Sequence, residues 1–369
     1  MNRFMRREAI LVLPRRMYDP DEAIGLVRTA LYEPIEIVRV RGRTTPYYIG
    51  RGKLEELRSL VDGKVGDLTL IVFDDLKPRE SYGISKTLGI RVIDRVQLIL
   101  EIFALHAGSQ EAKLQIEQAR MKYELPLVRE LVRRSKMGEL PGFLGPGRYA
   151  IDEYYRLMRR RIVAISRKLE ELRERRRRER LSRRRTRLPH VAIAGYTNAG
   201  KTTLFNKITL ESKPTGDTFF TTISPKSKRG RLLGREAIFV DTVGFIKNVP
   251  PQIIEAFYAT LEEIVDADAI ILVYDVSEDW ARIRRRLEGS IEILRELGVS
   301  GKPVILAANK ADLAGWDEAE ERSGKSLDLV SELYGGPLRA VTISALKGVN
   351  LDKLGEALWG ILRMPRYTF

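Results

Sequence analysis

The chain of 369 residues contains no cysteine. That excludes disulfides and thiolate metal sites and is consistent with a cytosolic protein. No apolar run reaches 18 residues, so a membrane-spanning helix is not expected. The segment Met1–Arg7 is basic but lacks a long apolar core behind it, so a secretory signal is not expected either. Acidic residues are scarce in one place above all. Between Arg156 and Arg187 there are 16 Arg or Lys against 4 Asp or Glu, a local net charge of +12 out of a total of +15. The basic character is therefore mostly one segment. A polyanion partner follows from it, nucleic acid first and anionic lipid second. A solvated charged helix is the plainer alternative, although so large an excess of one sign repels itself. Bulky apolar residues are missing from Arg173 to Arg180, which leaves nothing to insert into a bilayer.

What is present divides into three parts, at about 1–110, 111–188 and 189–369. In the first, apolar runs at Glu8–Leu13, Glu36–Val40, Thr69–Phe73 and Arg91–Asp94 read as strands, with helices at Asp21–Leu31 and after Gly50. Such alternation predicts a small α/β domain with a parallel sheet. Gly50-Arg-Gly-Lys53 lacks the spacing of a phosphate loop and reads as a tight turn into a helix, with a polyanion contact as the alternative. From Arg95 to Arg134 the pattern is helical, and Pro126 is expected to end or kink it. Met137–Ala150 is a loop rich in glycine and proline. Asp152–Ser182 reads as one long helix. Its seam of Met158, Ile162, Ile165, Leu169 and Leu172 is too short for confident dimerisation. The natural partner is the preceding helix, giving a long antiparallel hairpin in a monomer.

The stretch His190–Leu204 organises the third part. Val191–Ala194 is a short apolar strand, and Gly195-Tyr196-Thr197-Asn198-Ala199-Gly200-Lys201-Thr202 has the spacing of a glycine-rich phosphate loop. Gly195 and Gly200 let backbone N–H groups approach a polyphosphate closely. The following helix, opening through Thr203, points its positive end at the anion. Lys201 supplies charge for the β- and γ-phosphates and Thr202 a hydroxyl for Mg²⁺. Further strands end at Asp241-Thr242-Val243-Gly244, Asn309-Lys310-x-Asp312 and Ser344-Ala345-Leu346. Asp241 suits Mg²⁺ held through water, and the Gly244 N–H suits the γ-phosphate. The Asp312 carboxylate can accept from both N1–H and the exocyclic amine of guanine, which adenine cannot offer. The Lys310 stem can lie along the base, and the Ser344–Leu346 backbone can meet O6. The ordered set predicts a Rossmann-like P-loop domain, mostly parallel, that binds and hydrolyses GTP.

The whole chain resembles the HflX family of GTPases, and its third part a translation-factor-type G domain. Outside the G domain the resemblance is carried by Gly50–Leu57, Arg95–His106, Glu111–Glu117 and Leu125–Leu127; inside it, by Asp217–Pro225. It implies a cytoplasmic GTPase that binds the large ribosomal subunit through rRNA contacts of the basic helical region and, in some members, splits stalled or idle ribosomes. It also implies that Thr222 is the switch threonine for Mg²⁺ and the γ-phosphate, with Thr221 as runner-up and Phe220 beside them. The tail after Arg363 is short, so the longer C-terminal domain of some relatives is not expected. The tip Gly145-Pro-Gly-Arg148 carries arginine where many relatives are acidic, a departure that counts against carrying over their tip function, splitting or rescue of ribosomes included, which stays open.

Gly244 is followed by Phe245, where Ras-like GTPases place a glutamine that orients water. A slow intrinsic GTPase is expected, activated from elsewhere. Asn198 offers one route, because K⁺-dependent relatives ligate potassium with an asparagine at the matching position; a loop-stabilising role is the alternative. A GTP-dependent RNA remodeller acting away from the ribosome is the competing function, although no second motor domain is legible.

Overall fold

The computed structural model describes residues 7–15, 20–42, 48–62, 68–136, 146–183, 188–209, 226–245 and 261–363. The chain divides into two compact units, one over Met1–Arg173 and one over Glu174–Val249 and Phe257–Phe369.

The first unit opens with a four-stranded parallel sheet in the order β2-β1-β3-β4. Its strands are β1 (Arg7–Pro14), β2 (Tyr32–Val40), β3 (Thr69–Val72) and β4 (Arg91–Asp94). β1 and β3 are central, and their runs Ala9–Leu13 and Leu70–Val72 are buried on both faces, as strands covered by helices on each side must be. The covering helices are α1 (Pro20–Thr29), α2 (Arg51–Val61) and α3 (Pro78–Leu88). α3 is a helix that the apolar patterning alone did not mark. It starts at a proline in its first turn, with Glu80 reaching back to the Lys77 N–H at 2.8 Å, and ends at Gly89 with φ +68°. Both are ordinary helix boundaries.

Two helices follow, α4 (Arg95–His106) and α5 (Gln110–Lys136). Asp94 caps α4, accepting from the Gln97 N–H at 2.9 Å. Its other oxygen accepts from the Leu76 N–H at 3.2 Å and from the Tyr123 hydroxyl on α5. A buried carboxylate thus ties the sheet to the helical region. α5 passes through Pro126 without ending, and the proline is exposed on the helix surface. α6 (Pro146–Arg183) returns alongside α5. Gln118 donates to Ser166 Oγ at 2.6 Å, and Arg161 forks onto Glu117 at 2.8 and 3.2 Å. These pairs lie at similar distances from the connection between the two helices, which makes the arrangement an antiparallel hairpin. Met158, Ile165 and Leu169 are buried along the seam, as their spacing requires.

The second unit holds a six-stranded sheet in the order β10-β9-β8-β5-β7-β6. Five strands are parallel: β5 (His190–Ala194), β7 (Arg235–Asp241), β8 (Ala269–Asp275), β9 (Val304–Asn309) and β10 (Leu338–Thr342). β6 (Lys226–Leu232) pairs antiparallel with β7 at the edge. Its basic sequence hides it from a search for apolar runs, and such charge suits an edge that must not recruit further strands. Strand order reverses around β5, so the loop after β5 lies at the topological switch point where ligands bind in such sheets.

Candidate functional site

The loop Gly195–Gly200 leads from β5 into helix α7 (Lys201–Thr209). Gly195 has φ +140°, and a Cβ there would stand 2.0 Å from the Val273 carbonyl oxygen of β8. Gly200 has φ +93°, and a Cβ would meet the Asn309 side chain at 2.2 Å. Both positions therefore demand glycine on conformation and on space. Asn198 adopts φ +61° and is exposed, a left-handed conformation that asparagine tolerates. Tyr196, Thr197 and Ala199 are buried, and Thr203 is half-buried on α7.

Lys201 is buried, and its ammonium donates to the Tyr196 carbonyl at 2.6 Å. Desolvation pushes its pKa down to about 8; Arg286 acts in the same direction and Asp241 against it. A polyanion beside this buried cation would offset its desolvation and push the pKa back up. The Thr202 hydroxyl donates to Asp241 Oδ2 at 3.0 Å. A hydroxyl and a carboxylate, both oxygen donors, are the donor set expected for Mg²⁺ beside phosphates.

The segment after β7 is laced to the loop. Phe245 N–H donates to the Gly195 carbonyl at 2.9 Å, and Thr197 N–H to the Phe245 carbonyl at 3.1 Å. The buried Thr242 hydroxyl donates to the Ile193 carbonyl at 2.8 Å, and Val243 is buried beside it. A Cβ on Gly244 would lie 2.6 Å from Thr197 Cγ2 and 3.0 Å from the Lys201 ammonium. The Phe245 ring packs edge-on against Tyr196 at 6.5 Å between centroids. It fills space and has no hydrogen-bonding group with which to orient a water.

Asn309 joins the remaining loops. Its amide donates to the Ala199 carbonyl at 2.8 Å, and its oxygen accepts from the Ala345 N–H at 2.9 Å. One buried side chain thus ties the phosphate loop to the Ser344–Leu346 loop. Lys310 is left-handed at φ +67°, and its ammonium pairs with Asp275 at 2.6 Å. Asp312 faces Lys347 at 3.7 Å. Ser344 is buried, while Leu346 is exposed. Asp275 was legible only as a strand end; its role as the Lys310 partner emerges from the parallel pairing of β8 with β9. Arg286, 5.7 Å from the Tyr196 ring centroid and 2.8 Å from Glu278, also carries no motif in the sequence. Phe220, Thr221 and Thr222 lie outside the described residues, so Thr222 as a metal ligand and catalytic group stays an expectation.

A family model described as 50S ribosome-binding GTPase matches residues 190–310. Models described as GTP-binding GTPase N-terminal and GTP-binding GTPase Middle Region match residues 18–104 and 106–183. The chain is 48% identical over 352 residues to the GTPase HflX of Hyperthermus butylicus, covering 94% of each protein. It is 34% identical to the GTPase HflX of Escherichia coli, over 93% of this chain and 78% of that protein. Among solved structures it is similar to a GTP-binding protein from Sulfolobus solfataricus in complex with GDP, at 36% identity and a TM-score of 0.54, covering 96% of this chain and 98% of that one.

Proposed function

Because the chain belongs to the HflX family of GTPases, we propose that its second unit binds GTP and hydrolyses it to GDP and phosphate, and that the nucleotide governs docking on the large ribosomal subunit. The observation that carries the nucleotide reading is the convergence on Asn309 of the phosphate loop and the Ser344–Leu346 loop. Lys201 holds the β- and γ-phosphates, Asp312 reads guanine, and the Gly244 N–H faces the γ-phosphate. Thr202 and Asp241, with Thr222, would hold Mg²⁺, which would supply positive charge to offset that of the phosphates. Phe245 is buried and cannot orient water, so turnover by the isolated protein is slow. We assign a second catalytic option to Asn198 as a potassium ligand; equal turnover in KCl and NaCl would end it.

In this reading the domains are 1–110, 111–188 and 189–369. Segments around Thr222 and Gly244 are held by the γ-phosphate and released on hydrolysis, while the basic segment of α6 meets rRNA phosphates. The protein works as a cytoplasmic monomer; no helix among the described residues is long and apolar enough to cross a membrane. Co-sedimentation with separated ribosomal subunits, with GDP and with a non-hydrolysable GTP analogue, is the test. Pelleting with the large subunit, stronger with the analogue, is expected, and a ribosome-splitting assay then follows. Pelleting indifferent to nucleotide and to subunit would favour an RNA remodeller acting away from the ribosome.

A further inference from the structure

One peptide plane of the phosphate loop carries the anchor of the phosphate lysine. The Tyr196 carbonyl accepts from the Lys201 ammonium at 2.6 Å and from the Ala199 N–H at 3.3 Å. The N–H of the same plane, that of Thr197, donates to the Phe245 carbonyl at 3.1 Å. Phe245 follows Gly244 in the segment that hydrolysis releases in the reading above, so this bond is lost when the segment leaves. The direction of the Tyr196 carbonyl then depends on what holds the rest of Tyr196.

The helix Trp280–Glu296 holds it. This helix follows β8, the neighbour of β5 in the sheet. The Arg286 guanidinium lies 5.7 Å from the centroid of the buried Tyr196 ring, within reach of a cation–π contact. Three residues on, along the same face, a Cβ at Gly289 would stand 2.6 Å from the Tyr196 hydroxyl oxygen. Glycine in the interior of a helix is unfavourable, and here the space it leaves admits the end of the tyrosine. Arg286 is in turn fixed by Glu278 at 2.8 Å, which Arg282 also faces at 3.9 Å.

We infer that Arg286 is a positioning residue for GTP hydrolysis: it clamps the Tyr196 ring against the bare backbone of Gly289 and so aims the carbonyl that fixes the Lys201 ammonium. The inference rests on the GTPase reading above. Lys201 meets the β- and γ-phosphates, and charge moves between them as the γ-phosphoryl group leaves. A displaced ammonium therefore loses more in that transition state than in the ground state. Arg286 acts through Tyr196 and not on the phosphates. Its helix lies outside the segments that the γ-phosphate holds, so the anchor of Lys201 survives their release.

The test is GTP hydrolysis by the full chain, with kcat and KM determined separately. Arg286→Gln should lower kcat about tenfold and raise KM less than about threefold. Arg284→Gln, which removes a cation paired with Glu288 on the exposed side of the same helix, should change neither. Arg286 pushes the Lys201 pKa down, so its removal favours the charged ammonium, and the fall in kcat cannot come from a discharged lysine. Gly289→Ala improves helix propensity, yet it should lower kcat about fivefold, because the added methyl displaces the Tyr196 hydroxyl. In a Tyr196→Phe background the same alanine meets no hydroxyl and should change kcat less than about twofold. An Arg286→Gln protein with a lower melting temperature and wild-type kcat would reduce Arg286 to a structural ion pair and overturn the inference. Equal effects of Gly289→Ala in the two backgrounds would overturn it as well, and this comparison decides where Arg286→Gln does not fold. A wild type without turnover would sink the GTPase reading and the inference with it, whereas an active wild type with unaltered variants would sink the inference alone.

Discussion

At the residue scale, two positions decide whether the nucleotide site can form. Asn309 is buried and satisfies a donor and an acceptor on two different loops. Asn309→Ala should cost about 2 kcal/mol, because it leaves the Ala199 carbonyl and the Ala345 N–H buried without that partner. Calorimetric GDP affinity and the melting temperature should both fall, and an unchanged GDP affinity would remove Asn309 from the site. Gly195→Ala should destabilise by about 3 kcal/mol and abolish GDP binding, because its Cβ would collide with a backbone carbonyl that β8 holds in place. Gly234 is a useful contrast: it has φ +71° but open space around it. Gly234→Ala should cost only about 1–2 kcal/mol, the price of the left-handed backbone. In the first unit, burial pushes the Asp94 carboxyl from 3.8 up to about 6, against its hydrogen bonds from Tyr123, Gln97 and Leu76. The folded state therefore keeps a proton that the unfolded chain releases. Stability from protonated Asp94 is complete below about pH 4 and is lost as pH rises through about 6. Asp94→Asn keeps the cap and should remove about 3 kcal/mol of this pH dependence. Urea midpoints of the variant and the wild type from pH 4 to 7 would show it, and parallel curves would refute it.

At the element scale, the hairpin of α5 and α6 stands on a thin seam. Among the described residues of α6 one stripe is buried, with Met158, Ile165 and Leu169 in it, while Arg161 and Gln118 lock the register from the flanks. Ile165→Ala and Leu169→Ala should each cost about 3 kcal/mol through the cavity they leave. Hydrogen exchange should rise along both helices and stay constant in the G sheet; faster exchange in the sheet would mean that the hairpin does not unfold as its own unit. The hairpin was legible because a helical repeat of apolar residues can bury itself only against another such face. The fate of Pro126 was not, because whether a proline ends a helix depends on what surrounds the carbonyl it leaves without a donor, and that is a tertiary matter. β6 escaped for a related reason: an edge strand needs little burial, so its sequence need not be apolar.

At the scale of the whole molecule, charge is the organising quantity. Most of the net +15 lies in the segment 156–187. Arg175→Gln/Arg178→Gln should weaken large-subunit binding and flatten its salt dependence, with a slope shallower by about 1.8. Ribosome co-sedimentation across a salt series measures it, and an unchanged slope would detach the basic helix from rRNA.

The sequence alone determined the alternation of strands and helices, the order of the four nucleotide motifs, the helical hairpin and the placement of charge. Each of these is written in local spacing: glycines where backbone must approach phosphate, apolar residues at the period of the element, and carboxylates at strand ends. Tertiary structure alone decided that Asn309 clamps two loops, that Asp275 holds Lys310, that Phe245 is packed away from water, and that Arg286 and Gly289 meet the Tyr196 side chain. Those pairings join residues far apart in the chain. They exist because parallel sheets bring the carboxyl ends of their strands to one edge, and no local pattern records which distant side chains will meet there.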